Sequence, residues 1–194
     1  TTAAFGDGFV AKYDTNGNQL WFSRIRGLGE EQVNAIAVAA NGNTIYITGR
    51  TNSDYGLPGY PAQTIFCCGT PDAFVARLDG AGAIQWIHNL SSLTLDGNRY
   101  FLDVGTGVAT DAAGSAAFVS GYTDGVMPGA TSKGNRDIFV ARYAADGTRS
   151  WLQQYGSGLP ATSGTSFALY DQAFAITLDR NGDLFVAGDT WGTF

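Results

Sequence analysis

The sequence predicts an all-β fold of repeated four-stranded antiparallel units, and three observations predict it. One phrase is written three times, as Asp7-Gly-Phe-Val-Ala-Lys12, Asp72-Ala-Phe-Val-Ala-Arg77 and Asp137-Ile-Phe-Val-Ala-Arg142, at intervals of 65 residues. Turn glycines (Gly17, Gly82, Gly147) and tryptophans (Trp21, Trp86, Trp151) follow each copy at the same offsets. Apolar runs of strand length alternate with turn residues along the whole chain, and no helical period of note interrupts them. A repeat of this length marks a stacked or circular array of supersecondary units.

Each repeat contains two hairpin signals. In the first, the repeated phrase runs into a turn ending at Gly17 and then the apolar stretch Leu20 to Ile25. The second reads Ile36-Ala-Val-Ala-Ala-Asn-Gly42 followed by Thr44-Ile-Tyr-Ile-Thr-Gly49, and it recurs at Val108 to Gly121 and at Ile176 to Gly188. Asn-Gly and Ala-Gly turns between apolar runs specify hairpins, because glycine reaches left-handed backbone without steric cost. One unit is therefore four short strands, A (33–39), B (44–50), C (73–79) and D (83–90). Repeated four-stranded units with aromatic residues at fixed places are the signature of β-propeller blades. A single such sheet cannot cover both of its apolar faces, and stacking against neighbours does so. The strand D tryptophan and the strand C phenylalanine are expected to fill the space between blades.

The chain starts with strands C and D, continues through two complete units and stops after strands A and B. The expected organisation is half-blade, two blades, half-blade, with 1–194 forming one propeller domain or part of one and repeats at about 7–71, 72–136 and 137–194. The ends are complementary halves. They are expected to join either as a homodimer of six blades or within a longer parent chain, Asp7 onward being completed by Asp171 to Trp191 of this chain or of a neighbour. The chain begins Thr1-Thr2 without Met, as expected of a processed form or a piece of something longer.

Composition narrows the function. Net charge is −6 with an isoelectric point near 4.5, and the 11 basic residues are scattered. Nucleic-acid and anionic-membrane binding need clustered Lys and Arg, so neither is expected. No apolar run reaches the length of a bilayer span. Cys67 and Cys68 are adjacent and have no other partner in the sequence, which is too few for a disulfide framework.

The run Phe9 to Thr51 resembles the bacterial β-propeller repeat called SBBP. The residues that carry the resemblance are Lys12-Tyr-Asp14, Asn16-Gly-Asn18, Leu20-Trp21, Ile36-Ala-Val-Ala39 and Tyr46-Ile-Thr-Gly-Arg-Thr51. Ala39 stands where the pattern has Asp, which Asp111 and Asp179 keep. The resemblance implies a secreted or surface-displayed bacterial protein, commonly part of something larger, and it supplies no shared catalytic residue.

Several residues are candidates for chemistry. Asp14, Asn16, Asn18 and Asp179, Asn181, Asp183 have the alternating oxygens of a calcium loop, but they lie where hairpin turns are wanted and lack the closing glutamate of an EF-hand. His88, the sole histidine, is expected as a surface or edge residue on the outer strand D. Glu30 and Glu31, the two glutamates of the sequence, are expected as solvated loop charges. Lys12, Arg77 and Arg142 are expected to pair with nearby aspartates such as Asp14 and Asp79. The long B–C and D–A connections should share one rim and form the interaction surface, with Tyr55, Tyr60, Tyr100, Phe101, Tyr155 and Trp191 as candidate contacts for a glycan or a protein. The expected function is a non-catalytic structural or binding module on a bacterial surface or in an extracellular assembly, with no cofactor required. The alternatives are a glycan-processing enzyme using loop carboxylates (Asp54, Asp103, Asp124, Asp171) and a subunit of an extracellular filament.

Overall fold

The structure, a computed structural model, describes residues 6–27, 29–52, 70–92, 101–158 and 170–192. Twelve strands follow one another without a helix among these residues. They are β1 (Gly8–Tyr13), β2 (Gln19–Ile25), β3 (Glu31–Val38), β4 (Thr44–Thr51), β5 (Asp72–Asp79), β6 (Ile84–Leu90), β7 (Asp103–Thr110), β8 (Ala116–Thr123), β9 (Asp137–Ala144), β10 (Arg149–Tyr155), β11 (Asp171–Leu178) and β12 (Leu184–Thr190). The sequence-derived strand bounds agree with these within two residues.

The strands form four antiparallel sheets in chain order: β1-β2, then β3-β4-β5-β6, then β7-β8-β9-β10, then β11-β12. The two middle sheets are four-stranded and the outer two are two-stranded. The short connections within sheets are tight because each carries a glycine in left-handed backbone, as at Gly17, Gly82 and Gly147, with φ of 86°, 83° and 90°. A side chain at such a φ would be strained, which is why this position recurs as glycine.

Successive sheets pack through their leading strands, β3 against β7 and β7 against β11. A bulge repeats in each of these strands, at Asn34, Thr106 and Phe174, where the pairing register skips one residue. The bulge turns a side chain toward the next sheet. Asn34 Nδ2 donates to the Gly105 carbonyl at 2.8 Å, and Thr106 Oγ1 donates to the Ala173 carbonyl at 2.6 Å.

The tryptophans supply a second recurring tie. Trp21 Nε1 donates to the Gly80 carbonyl at 3.0 Å, and Trp86 Nε1 donates to the Ala145 carbonyl at 2.9 Å. Both bonds cross from one sheet to a turn of the next, and Gly80 and Ala145 are one repeat length apart. The expected role of these indoles between sheets holds, with a specific polar anchor added to the packing. The expected pairing of the strand-C cations with Asp14 and Asp79 does not form. Arg77 donates to the Ala145 carbonyl and Arg142 to Ser150 Oγ, while Asp14 and Asp79 accept bonds from their own turns. The competing demand was local: backbone N–H groups in a tight turn need an acceptor that a nearby carboxylate provides at once.

Candidate functional site

The most distinctive feature of the described surface is a mismatch between equivalent residues. Phe74 and Phe139, in the middle sheets, are 0% exposed, whereas Phe9, the same residue of the repeated phrase, is 59% exposed. In the middle sheets each phenylalanine lies opposite a glycine of the preceding strand, Gly49 for Phe74 and Gly121 for Phe139. The close approach needs glycine, since a Cβ on Gly121 would fall 2.6 Å from the Phe139 ring. Phe139 then packs in one apolar cluster with Ala73, Val75 and Leu90 of the previous sheet and with Val119. Phe74 does the same with Val10, Ile25 and Ile47.

Position by position, the third copy of this slot is lined by Ile138, Val140, Tyr155, Val186 and Gly188, and these residues border a groove of about 320 Å³. No phenylalanine is among them. Among the described residues β12 has no strand hydrogen-bonded on its outer side, and neither has β1. Phe9 stacks instead on Phe22 at 5.4 Å on an open face that also exposes Tyr13 and Leu20. The expected completion of the first half-sheet by Asp171 to Trp191 of the same chain is therefore corrected: within one chain β11-β12 and β1-β2 remain separate sheets.

The carboxylates considered for catalysis are built into the frame. Asp103 and Asp171 are buried at the starts of β7 and β11, in strands rather than loops. The Asp103 Oδ2 accepts from the Ser92 backbone N–H at 2.7 Å and from the Ser92 hydroxyl at 2.9 Å. Asp171 holds Ser157 in the same way. Glu31 takes this role at the first crossing, accepting from the Gly27 N–H and the Thr51 hydroxyl. Glu31 is thus buried and bonded rather than a solvated loop charge, while Glu30 pairs with Arg50. Gly27, Ser92 and Ser157 recur at the repeat interval, so the clamp belongs to the repeat. Asp124 is held in a two-pronged ion pair with Arg136. Asp54 lies outside the described residues.

Burial pushes the Asp103 carboxyl up to about 7, against the hydrogen bonds from Thr123 and Ser92, with the Asp72 charge adding to the rise. Its Oδ1 is buried without a well-formed hydrogen bond. Burial also raises Asp137, whose Oδ2 accepts from Lys133 N–H and Gln154 Nε2.

Of the aromatic rim candidates, Tyr55, Tyr60 and Tyr100 lie outside the described residues, as do Cys67 and Cys68. Phe101 is half-buried beside Gly125. Tyr155 is exposed and lines the open groove. Trp191 is 67% exposed and meets the Tyr170 ring edge-on at 5.9 Å. Tyr170 and Tyr122 both lie against the Arg136 guanidinium, so rim aromatics and the Asp124–Arg136 pair form one connected surface. Arg136, Tyr122 and Tyr170 had no signal in a single sequence, because they come from three separate places, the end of β8 and the residues just before β9 and β11.

The calcium-loop candidates adopt hairpin-turn geometry. Asp14 Oδ1 accepts from the backbone N–H groups of Asn16 and Asn18, and Oδ2 accepts from Asn18 Nδ2. Asp179 repeats this with Asn181 and Asp183. These bonds, led by the Asn18 side chain, hold the Asp14 carboxyl below its ordinary value. The Asn18 and Asn181 amides present nitrogen, not oxygen, to the carboxylate. Among the described residues no group of three or more His, Cys, Asp or Glu side chains converges as a metal site.

With this geometry in place, the comparison with known proteins falls on the last strands. Residues 151–194 match the SBBP beta-propeller repeat. The matched SBBP segment contains β11 and β12 and nearly all of β10, and with them the open edge. A curated relative, the regulatory protein FlaEY of Caulobacter vibrioides, is 43% identical over 53 residues, covering 27% of this chain and 5% of that protein. The chain thus corresponds to a small fraction of the relative's length. No helix of the described residues is long and apolar enough to cross a membrane.

A second groove, of about 540 Å³, runs along the outer side of β6 against the turn before β10, upstream of the SBBP match. His88, Tyr143, Asp146, Thr148 and Arg149 line it. His88 lies on β6, the edge strand of its sheet, as expected, and is half-buried there near Trp86 and Tyr143, and burial lowers its pKa. Sequence position alone placed it on an outer strand and could not show that the next sheet closes over it.

Proposed function

We propose that this chain is a non-catalytic structural or binding module of a bacterial surface or extracellular assembly, its sheets acting as propeller blades in the order half, whole, whole, half. The observation that carries the proposal is the open edge. A phenylalanine buried at two equivalent positions stands in solvent at the third, on a strand that among the described residues is paired on one side only. Unpaired, apolar sheet edges template pairing with another chain unless they are blunted, and neither β1 nor β12 carries a proline. The module therefore joins to further repeats of its own kind, in a second copy or a longer parent chain, and the rim around Trp191, Tyr170 and Arg136 is left to meet a glycan or protein partner.

The engagement of Asp103, Asp124 and Asp171 in structural bonds supports a non-catalytic role, since a general acid or base must be free to reach a substrate. Light scattering across a concentration series tests the reading: if a second copy supplies the further repeats, the 194-residue chain associates, and a stable folded monomer at all concentrations overturns that form of it. Turnover on a panel of hydrolase and lyase substrates that is abolished by Asp124→Asn would overturn the non-catalytic part.

A further inference from the structure

We infer that the groove between the two four-stranded sheets, along the outer side of β6 and against the β9–β10 turn, is a binding site for a neutral glycan. It lies away from β1 and β12 and does not rest on the association proposed above.

The first observation is a difference between seams. The positions held by Tyr143, Asp146, Thr148 and Arg149 are occupied one repeat earlier by Leu78, Ala81, Ala83 and Ile84, and His88 stands where the earlier repeat has Ser23. At the first seam the Ser23 hydroxyl donates to the Gly82 carbonyl at 2.6 Å, so its polar atom is spent within the frame. At the second seam the replacements line a groove of about 540 Å³, within the range of small-molecule sites. The tryptophan ties hold at both seams, through Trp21 and Trp86. The polar groups of the second seam are therefore additional to the bonds that recur between sheets.

The second is the build of the lining. His88 and Tyr143 form a stacked pair, their rings 6.0 Å apart and 13° from parallel, and Trp86 packs against both at 5.3 and 6.1 Å. The turn comes close to this aromatic floor at Gly147, where φ is 90° and a Cβ would fall 2.7 Å from His88 Nε2. Arg149 lies against the Tyr143 phenol, its charge and hydrogen bond opposing the rise that burial imposes on that group. The Asn89 amide and the Ser91 hydroxyl also border the groove, and among the described residues no side-chain hydrogen bond engages either.

The third is charge. Asp146 and Arg149 are both exposed and of opposite sign, and burial lowers the His88 pKa, which keeps the imidazole neutral at neutral pH. An anion in the groove would meet Asp146, and a cation would meet Arg149. A sugar hydroxyl both donates and accepts, so it can give to Asp146 and take from Arg149 while an apolar face of the sugar ring lies on the aromatic pair.

The test is a glycan array carrying neutral oligosaccharides (glucans, galactans, mannans and chitin fragments) beside sialylated, sulfated and uronic-acid ones. The strongest neutral binder is then titrated against the single imidazole resonance of His88. Neutral glycans should bind and shift that resonance. Arg149→Ala, at an exposed position, should leave the chain folded and weaken binding at least tenfold. Asp146→Asn keeps the acceptor for the Thr148 N–H and should weaken it severalfold. Binding of acidic glycans alone, or of no glycan on the array, overturns the inference. Neutral-glycan binding that leaves His88 unmoved, survives Arg149→Ala and is lost in Trp191→Ala overturns the groove while leaving the rim proposed above standing.

Discussion

Replacing Asp103 with asparagine should stabilise the protein at alkaline pH while leaving it nearly unchanged in mild acid. Asp103 is buried at the start of β7 with its carboxyl raised to about 7, mainly by loss of water and in part by the Asp72 charge. Unfolded, the group returns to about 3.9. Because the folded value is the higher one, the folded chain binds the proton more tightly. Its contribution to stability is fully present below about pH 4, declines as pH rises, and is lost above about pH 7. The gap of about three units corresponds to roughly 4 kcal/mol, at 1.36 kcal/mol per unit, and relaxation around the ionised group lowers that figure. Asparagine keeps a carbonyl oxygen to accept the two bonds from Ser92, places an amide where Oδ1 lacks a well-formed hydrogen bond, and does not titrate. The assay is denaturant unfolding followed by tryptophan fluorescence, at several values between about pH 4 and about pH 8. The difference between variant and parent should move in favour of the Asp103→Asn protein by about 2–4 kcal/mol over that range. A difference independent of pH, or a variant destabilised by several kcal/mol at the alkaline end, would refute the assignment of Asp103 as a buried carboxyl held near neutrality.

Three further outcomes follow from the same contacts. Trp86→Phe keeps most of the packing but removes the bond to the Ala145 carbonyl, and it should lower unfolding free energy by about 1 kcal/mol, read by denaturant titration; no loss would show that the indole nitrogen contributes nothing. The single imidazole resonance of His88 should titrate below its ordinary value of 6.5, because burial disfavours the cation; the stability this group contributes is present above that value and falls as pH drops through the folded one, and a midpoint at or above 6.5 would contradict the half-buried placement. Thermal melting should be the same in calcium and in chelator, since the Asp14 and Asp179 oxygens are taken up by turn bonds; a melting temperature raised by calcium would make those turns metal sites.

Much of the frame was legible because repetition exposes it. The spacing of Phe9, Phe74 and Phe139 located the middle of one strand three times over, and Gly17, Gly82 and Gly147 located the turn that follows. Contacts between sheets were less legible, because a repeat states which positions are alike but not which face each other. The Gly27, Ser92 and Ser157 series was visible only once the buried carboxylates were seen to accept from it. Glu31, Asp103 and Asp171 were all read as loop carboxylates for the same reason: their partners sit 4, 11 and 14 residues away across connections of unequal length. The half-burial of His88 and the role of Arg136 were not legible because each is defined by an adjoining element, the β9–β10 hairpin for one, and Tyr122 of β8 with Tyr170 before β11 for the other.

The unequal fate of the three phenylalanines separates what the repeat encodes from what its surroundings complete. Local sequence around Phe9 is as good a strand as that around Phe74, and β1 pairs with β2 as β5 pairs with β6. Burial differs because it depends on a glycine-bearing strand alongside and on a neighbouring sheet behind. Fully burying a phenylalanine side chain contributes roughly 1.5–3 kcal/mol relative to leaving it exposed, a large share of the marginal stability of an ordinary domain. The first half-sheet forgoes that contribution, together with the one Tyr13 would add, since its equivalents Leu78 and Tyr143 are buried. Strand formation in β1 and β12 is thus set by local sequence, whereas burial of an apolar face depends on the strand and sheet that lie against it, as Phe74 and Phe139 show.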